Sequence, residues 1–176
     1  MLSVVLLAFD SPRTVPAPAA LRRARIVRSL ASLVEACVQG LVADAVLAGP
    51  LGARLSAVAD EAGCLLLEAA DRGAGLSLAL RAARHADIFL LCAGYAVERG
   101  FVDEARDALA FGGLDRARVL RAAPESFVTR LAPNFAEPVG LLARKAALLG
   151  AGAGDVASLA RRLRAAELAT RARRTG

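Results

Sequence analysis

Short apolar runs alternate with helical patterns along most of the chain, and this alternation restricts the fold more than any other feature. The runs are rich in Val, Leu and Ala, as buried strands usually are. Strands are predicted at Ser3–Phe9, Ala43–Ala48, Cys64–Leu67, Asp87–Cys92 and Arg118–Ala122. Helices are predicted at Ala19–Gln39, at Ala53–Ala62, from the Asp71–Gly75 turn to about Arg84, and at Phe101–Phe111. Strands joined by helices pair in parallel, so the sequence predicts an α/β fold with a mostly parallel sheet and helices on both faces.

The pattern changes after Pro133, where helical spacing continues and no strand is expected. Pro138 suits the first position of a helix that runs to Leu149. A Gly/Ala linker follows over residues 150–154, and Asp155 stands where it would cap a last helix through the Arg-rich end. We therefore expect an α/β domain over residues 1–133 and a helical C-terminal extension over residues 134–176 that packs on it.

The formal net charge of the 176-residue chain is +6, and most of this charge lies in residues 160–176. That tail has six Arg and a single acid, Glu167, and it lacks aromatic side chains that would stack on bases. We therefore expect no nucleic-acid partner. Three alternatives remain open for the tail. It is a solvated helix face, a basic amphipathic surface in peripheral contact with anionic lipid, or a site for an acidic partner protein.

The three cysteines, Cys37, Cys64 and Cys92, are widely spaced within apolar patterns. With His85 as the sole histidine and no Cys-x-x-Cys motif, the sequence offers no cysteine-based metal site. Buried free thiols are typical of cytoplasmic proteins. The longest uninterrupted apolar run, Ile88–Val97, is too short to span a bilayer. We expect a cytoplasmic protein, located at the inner membrane if the basic tail binds lipid.

Open α/β sheets bind ligands beyond the carboxyl ends of their parallel strands. Those ends are predicted at Phe9–Ser11, Gly49–Gly52, Ala69–Gly75 and Ala93–Tyr95. His85 lies at a predicted helix end away from this edge, so no Ser/His/Asp catalytic set is expected there. The turn at residues 73–75 lacks the Lys-Ser/Thr pair of a phosphate loop. It either presents N–H groups to an anion at a helix N-terminus or is an ordinary turn between a strand and a helix.

Four segments, taken in order, resemble bacterial family 2 glycosyltransferases, which have the Rossmann-like GT-A fold. They are LSVVLLAFDS, SLASLVEACVQGLVADAVLAG, VADEAGCLLLEAADRGAGLSLALRAARHADIFLLCAG and GLLARKAALLGAGAGDVASLARRLRAAELA. The resemblance covers most of the chain and is that of a small member of the family. It implies that residues 1–133 bind a nucleotide sugar and that the protein transfers the sugar to an acceptor.

The resemblance also implies roles for individual residues. Asp155 matches the carboxylate of the family's catalytic-base motif, and its alternative role is that of a helix N-cap. Five residues match positions around the family's nucleotide pocket: Asp10, Ser11, Gly49, Arg72 and Gly73. An Asp there would hydrogen-bond the base or ribose, and an Arg would pair with the diphosphate. The alternatives are an ordinary polar turn residue and a surface arginine.

Two departures from the family pattern bear on activity. Gly49 stands where the family has a carboxylate after its second strand, and the metal-binding turn after the fourth strand reads Cys92-Ala93-Gly94-Tyr95 without a carboxylate. Hard cations need oxygen ligands, so the sequence argues against an Mg²⁺ or Mn²⁺ cofactor and names no metal ligand. A degenerate, non-catalytic subunit of the same fold, which binds a protein partner or a second copy, is therefore the main alternative. A nucleotidyltransferase ranks lower, because FDSPRTVPAPAALRR offers Arg13 but no glycines.

Overall fold

The computed structural model describes residues 1–10, 17–110, 114–124 and 136–176. Its strands are β1 (Leu2–Leu7), β2 (Val42–Pro50), β3 (Leu65–Ala69), β4 (Asp87–Cys92), β5 (Tyr95–Val97), β6 (Arg118–Ala122), β7 (Pro138–Arg144) and β8 (Ala166–Arg174). Its helices are α1 (Ala19–Ala31), α2 (Val34–Val38), α3 (Ser56–Ala62), α4 (Arg72–Ala82), α5 (Phe101–Ala110), α6 (Lys145–Ala151) and α7 (Val156–Arg162). The five predicted strands are all present, with boundaries shifted by at most two residues.

The first half of the sheet is parallel, as the alternation of strands and helices predicts. Strand β1 lies between β2 and β4, with Val5 beside Val46 on one side and Leu90 on the other, and β3 pairs with the outer side of β2. Every residue of β1 is buried. A strand covered on both faces reads as a continuous apolar run, which explains the lack of polar alternation in β1.

The second half of the sheet is mixed. The complete order over the described residues is β3-β2-β1-β4-β7-β6-β8-β5. Strand β7 is antiparallel to both β4 and β6, β6 is parallel to β8, and β8 is antiparallel to β5. The α/β class with a mostly parallel sheet is therefore confirmed, and the antiparallel pairs are confined to one side of it.

Helices cover both faces of the sheet and bury two apolar clusters against it. On one face, Ile26 of α1, Val58 of α3 and Phe101 of α5 pack against inward residues of β1 and β4. On the other face, Leu76 of α4 and Leu159 of α7 pack against the alternate residues of the same strands, together with Leu148 of α6. Successive residues of a strand point to opposite faces, so each strand contributes to both clusters.

The predicted helix from Pro138 to Leu149 is wrong over its first half. Pro138–Arg144 is strand β7, and the helix begins only at Lys145. The run from Val139 to Ala143 is wholly apolar, so it carries no periodicity that separates a helix from a fully buried strand. Gly140 suits the strand, because an added Cβ there would lie 3.2 Å from Leu120, Phe89 and the Leu90 carbonyl oxygen.

The predicted last helix through the Arg-rich end is also wrong beyond Arg162. Arg164 has a positive φ of 47°, which ends the helical turn, and the chain continues as strand β8. Leu168 and Ala172 are buried while Glu167 and Arg173 point outward, which is the two-residue period of a strand. The expected helical C-terminal extension is thus reduced to α6 and α7, and β7 and β8 join the same sheet as β1.

The basic amphipathic helix that was one of the three alternatives for the tail therefore does not continue into residues 166–174. The arginines of β8 instead meet acidic side chains: Arg171 lies 3.7 Å from Glu167, and Arg173 lies 3.2 Å from Glu98. Across the described ranges, no helix is long and apolar enough to cross a bilayer. The expected helix end at Phe111 and the expected domain boundary at residue 133 lie outside the described residues.

Candidate functional site

Arg72 connects several chain segments at the carboxyl end of the parallel strands. It is the first residue of α4, and the preceding Asp71 caps that helix by accepting a hydrogen bond from the Ala74 N–H at 2.9 Å. Nη2 of Arg72 donates to the carbonyl oxygens of Phe9 and Asp10, at 3.0 and 3.1 Å. The guanidinium group is thereby held directly beyond the end of β1.

Asp10 is paired with a second arginine at the same edge. Its Oδ2 lies 2.6 Å from Nη2 of Arg22, near the start of α1, and both side chains are partly exposed. Nε of Arg22 is buried and has no hydrogen-bond partner among the described residues. The carboxylate of Asp10 is therefore neutralised by α1, whereas its carbonyl group is bound by α4.

The turn after β4 is held by other parts of the chain. Gly94 has a φ of +98°, a conformation that favours glycine. Its N–H donates to the buried Ser29 hydroxyl at 3.0 Å, and its carbonyl oxygen accepts from the Thr175 N–H at 2.9 Å. Ser32 breaks the predicted helix Ala19–Gln39 into α1 and α2, and its hydroxyl accepts from the Val97 N–H at 3.1 Å. The turn is thus fastened by α1 on one side and by the end of β8 on the other.

Two protonated groups flank this turn. Burial raises the pKa of the Cys92 thiol to about 11, an effect that the Arg72 guanidinium opposes only in part. Burial also raises the pKa of Tyr95 to about 12, and the Glu137 carboxylate adds to the effect. The Tyr95 hydroxyl donates to Oε2 of Glu137 at 3.2 Å. At neutral pH both groups are neutral, so neither supplies an anionic ligand or a nucleophile.

Asp155 lies at the start of α7 and acts as its N-cap. Its Oδ1 accepts from the Ser158 N–H at 2.7 Å. Hydrogen bonds from Ser158 lower the pKa of this exposed carboxyl group, and the Arg72 and Arg161 guanidinium groups act in the same direction. Arg162 fixes the preceding loop by donating from Nη1 to the carbonyl oxygens of Ala151 and Ala153, at 2.6 and 3.0 Å. The carboxylate is therefore ionised at neutral pH and held near Arg72.

The other predicted site residues have different surroundings. An added Cβ at Gly49 would lie 2.6 Å from Cδ1 of Leu55, so the residue is small because α3 packs against the end of β2. At Gly73, an added Cβ would lie 3.2 Å from the Ala153 Cβ, because the start of α4 approaches the loop before α7. Ser11 lies outside the described residues. Asp10, Arg72 and Gly73 thus lie together with Asp155, whereas Gly49 packs into the core.

Sequence reasoning missed several residues around this edge. Arg22 and Arg25 belong to α1, Ser29 fastens the Gly94 turn, and Tyr95 pairs with Glu137 across a long stretch of sequence. The run LRRARIVR in the first helix after β1 carries the one signal that was available, since arginines near the start of that helix lie near the carboxyl edge. The Tyr95–Glu137 pair had no local signal at all.

A Ser/His/Asp group does form, but at the opposite end of the strands. The hydroxyl of Ser3 donates to Oδ1 of Asp44 at 2.5 Å and accepts from the His85 N–H at 2.9 Å. Nε2 of His85 lies 3.7 Å from Oδ1 of Asp44. Ser3 is fully buried and its proton is directed at the carboxylate rather than at the imidazole. The group therefore lacks the nucleophile–base contact that catalysis by serine requires.

Two cavities lie away from Arg72. One, of about 260 Å³, is lined by Asp107, Arg118 and Glu104, whose carboxylate accepts from the Thr170 hydroxyl and N–H groups at 2.6 and 2.9 Å. The other, of about 420 Å³, is mostly apolar and lies between α1–α2 and α3, where Cys37 and Cys64 line its wall. Neither includes a residue that was predicted to bind a nucleotide.

Comparison with known proteins identifies the fold. No family model and no curated protein matches the sequence. Among solved structures, glucosyl-3-phosphoglycerate synthase from Mycobacterium tuberculosis in complex with phosphoglyceric acid is similar with a TM-score of 0.66 and 16% identity, over 94% of this chain and 68% of that chain. The same enzyme in complex with Mn²⁺ and UDP-glucose gives a TM-score of 0.65 and 16% identity, over 94% and 67% of the two chains.

A second class of enzyme has the same architecture. The 2-C-methyl-D-erythritol 4-phosphate cytidylyltransferase from Thermus thermophilus is similar with a TM-score of 0.56 and 20% identity, over 96% of this chain and 88% of that chain. At these low identities, the similarity establishes the fold alone. The chain has a Rossmann-like fold of the GT-A glycosyltransferase type, as the resemblance in its sequence predicted.

Proposed function

We propose that the protein binds a nucleotide sugar at the carboxyl ends of β1, β3 and β4 and transfers the sugar to an acceptor. The observation that carries this proposal is the position of Arg72, a guanidinium group beyond the end of β1 in a fold shared with a UDP-glucose-binding synthase. Ligands of open α/β sheets bind at this edge. Asp10 and Gly73 lie within the same neighbourhood, and both support the proposal.

Asp155 is the proposed base, which would take the proton of the acceptor hydroxyl. Its carboxylate is ionised at neutral pH, and Oδ1 accepts the N–H bond that caps α7. A base must be deprotonated before the reaction, and a lowered pKa keeps the carboxylate deprotonated. The same lowered pKa makes the carboxylate a weaker proton acceptor. The cap and the base roles are compatible, because a carboxylate has two oxygen atoms and the capping N–H occupies one of them.

Isothermal titration calorimetry with UDP-glucose tests binding, and release of UDP from UDP-glucose tests turnover. We expect binding in the micromolar range or tighter. Asp155→Asn should lower the melting temperature only slightly, because Asn also caps helices and only the charge is lost, and it should abolish turnover. Asp155→Ala serves as the matched control for the cap, since it removes both functions. Full turnover in Asp155→Asn would reduce Asp155 to its capping role.

The non-catalytic alternative makes a different prediction in the same experiment. A binding or assembly subunit of this fold would bind UDP-glucose without releasing UDP, in the wild-type protein as in Asp155→Asn. The Cys92–Tyr95 turn, which holds two neutral side chains and no carboxylate, favours this alternative. Absence of binding to every nucleotide sugar would overturn both forms of the proposal.

A nucleotidyltransferase is a second candidate, since the chain covers 88% of the cytidylyltransferase structure. Such an enzyme would bind a nucleoside triphosphate rather than a nucleotide sugar. Titration with CTP and UTP alongside UDP-glucose separates the two classes. Preference for a triphosphate, together with release of pyrophosphate when a sugar phosphate is added, would replace the glycosyltransferase proposal.

A further inference from the structure

The carboxyl edge does not fit a divalent cation. At the turn after β4, Cys92 is a protonated thiol, and the N–H and carbonyl groups of Gly94 are hydrogen-bonded to Ser29 and Thr175. A hard cation prefers carboxylate and carbonyl oxygens that are free to coordinate it. The part of the chain that the structure describes contains no cluster of three or more His, Cys, Asp or Glu side chains that could hold a metal ion.

The two carboxylates nearest to the turn are engaged elsewhere. Glu137 accepts a hydrogen bond from the Tyr95 hydroxyl, and Asp155 accepts one from the Ser158 N–H. Both carboxylates raise the pKa of the Cys92 thiol, so both lie close enough to the turn to act on it. Recruiting Glu137 to a metal ion would break its contact with Tyr95, and recruiting Asp155 would compete with the role of base proposed for it. If an anionic ligand binds at this edge, its charge is therefore neutralised by something other than a metal ion.

Arginines supply the positive charge at this edge. Among the described residues, Arg72 donates through Nη2 alone, which leaves the rest of its planar fork for a ligand. Arg25 lies at the Gly94 turn, with its Cδ 3.7 Å from the position that a Cβ of Gly94 would occupy, and only its Nε donates to a described residue, Gly176. Arg22 neutralises Asp10, which would otherwise repel an anion.

A guanidinium group binds phosphate through two parallel hydrogen bonds and keeps its charge at every accessible pH. Arg72 lies beyond β1 and beside the start of α7, while Arg25 lies beside the turn after β4. The two groups border the same edge from two helices, α4 and α1. Two arginines that approach from different sides can neutralise adjacent phosphates, which is the task that a divalent cation performs in metal-dependent sites.

We propose that this edge binds the diphosphate of a nucleotide through Arg72 and Arg25, without a divalent cation. This inference rests on the proposed function, because it concerns the same site and the same class of ligand. It differs from the Mn²⁺ complexes of the similar synthase, and it assigns to α1 a role in binding that the sequence resemblance does not give it.

Calorimetric titration of the wild-type protein with UDP, in buffer with EDTA and again with excess Mn²⁺, tests the inference. We expect dissociation constants that agree within about twofold in the two buffers. Binding that requires Mn²⁺ would overturn the arginine inference and leave the proposed function intact. Absence of UDP binding in both buffers would overturn both, so the two failures are distinguishable.

Arginine variants test which positive charges bind the diphosphate. Arg72→Gln and Arg25→Gln should each weaken UDP binding in EDTA by about tenfold or more, since a hydrogen bond to a charged group is lost. Arg81→Gln, on the exposed last turn of α4, is the matched control and should bind like the wild type. Arg72→Lys keeps the charge without the fork and should bind with intermediate affinity. Unchanged UDP binding in folded Arg72→Gln and Arg25→Gln proteins would overturn the inference.

Discussion

The two ends of the parallel strands both carry polar side chains, but they use them differently. At the amino end, Ser3, Asp44 and the His85 N–H satisfy one another in a closed set of hydrogen bonds. At the carboxyl end, Arg72 donates to main-chain carbonyl groups through one nitrogen, and Asp155 caps a helix through one oxygen. Among the described residues, the amino end uses its polar groups within the fold, whereas the carboxyl end retains donors and acceptors that the fold does not use.

This difference explains why residue identity alone is a poor guide to a site. A serine, a histidine and an aspartate meet at the amino end, yet the serine is fully buried and its hydroxyl group is committed. The carboxyl end has no set of residues that resembles a known catalytic group, but Arg72 there keeps donors that the fold does not use. Binding capacity follows from what remains unsatisfied after folding.

The largest effect that separates the two ends is expected for Ser3→Ala. Removal of the hydroxyl leaves the His85 N–H and one oxygen of Asp44 without their partner in a buried place, at a cost of about 1–3 kcal/mol in the free energy of unfolding. Urea denaturation measures this loss. Ser56→Ala, at an exposed helix position, is the control and should change stability by less than about 0.5 kcal/mol. A weaker affinity for UDP in folded Ser3→Ala would contradict the conclusion that the amino end affects stability but not binding.

A smaller effect is expected for Asp71→Ala at the carboxyl end. This substitution removes the cap of α4 and should lower the free energy of unfolding by about 1 kcal/mol. Because Arg72 is the next residue, affinity for UDP should fall as well. Asp71→Asn retains a capping oxygen and should resemble the wild type in both measurements. Equal loss of affinity in Asp71→Asn would mean that the charge of Asp71, rather than its cap, matters for binding.

The smallest effect concerns acid stability. The pKa of Asp155 is lowered in the folded state, so the stabilising effect of its ionised form is present above the unfolded value of about 3.9 and is lost as pH falls through the folded value. The melting temperature of the wild type minus that of Asp155→Asn should therefore stay constant from pH 7 to about 5 and decrease below about 4. A difference that grows on acidification would contradict the lowered pKa.

The parallel half of the fold was predictable from sequence, and the mixed half was not. Buried runs such as Val4–Leu7 are flanked by turns and helices in the order that a parallel sheet requires. Strand β7 is equally apolar but continues directly into helix α6, and periodicity cannot separate the two states there. In β8, Ala, Arg and Leu have high helix propensity, and pairing with β6 and β5 overrides it.

The site was predictable to the extent that its residues adjoin strand ends. Asp10 and Arg72 follow β1 and β3 directly, and the structure brings the Arg72 guanidinium to the Asp10 carbonyl group; their role in binding a nucleotide stays a prediction. Gly49 lies within the last two residues of β2, where its small size serves the contact with Leu55. Arg25 reaches the edge from within a helix and Glu137 from a distant segment, so local sequence gave no basis for including them.

The strand order has a consequence for synthesis of the chain on the ribosome. Among the described residues, strand β5 pairs only with β8, which follows it in the chain after α5, β6, β7, α6 and α7. The edge of β4 that faces away from β1 likewise stays unpaired until β7 has been synthesised. A nascent chain can assemble β1 to β4 early and can pack α5 on them, but β5 has no strand partner until β8 has emerged. During that interval the exposed edge of β4 is open to wrong pairing, so assistance by a chaperone would matter most at this stage.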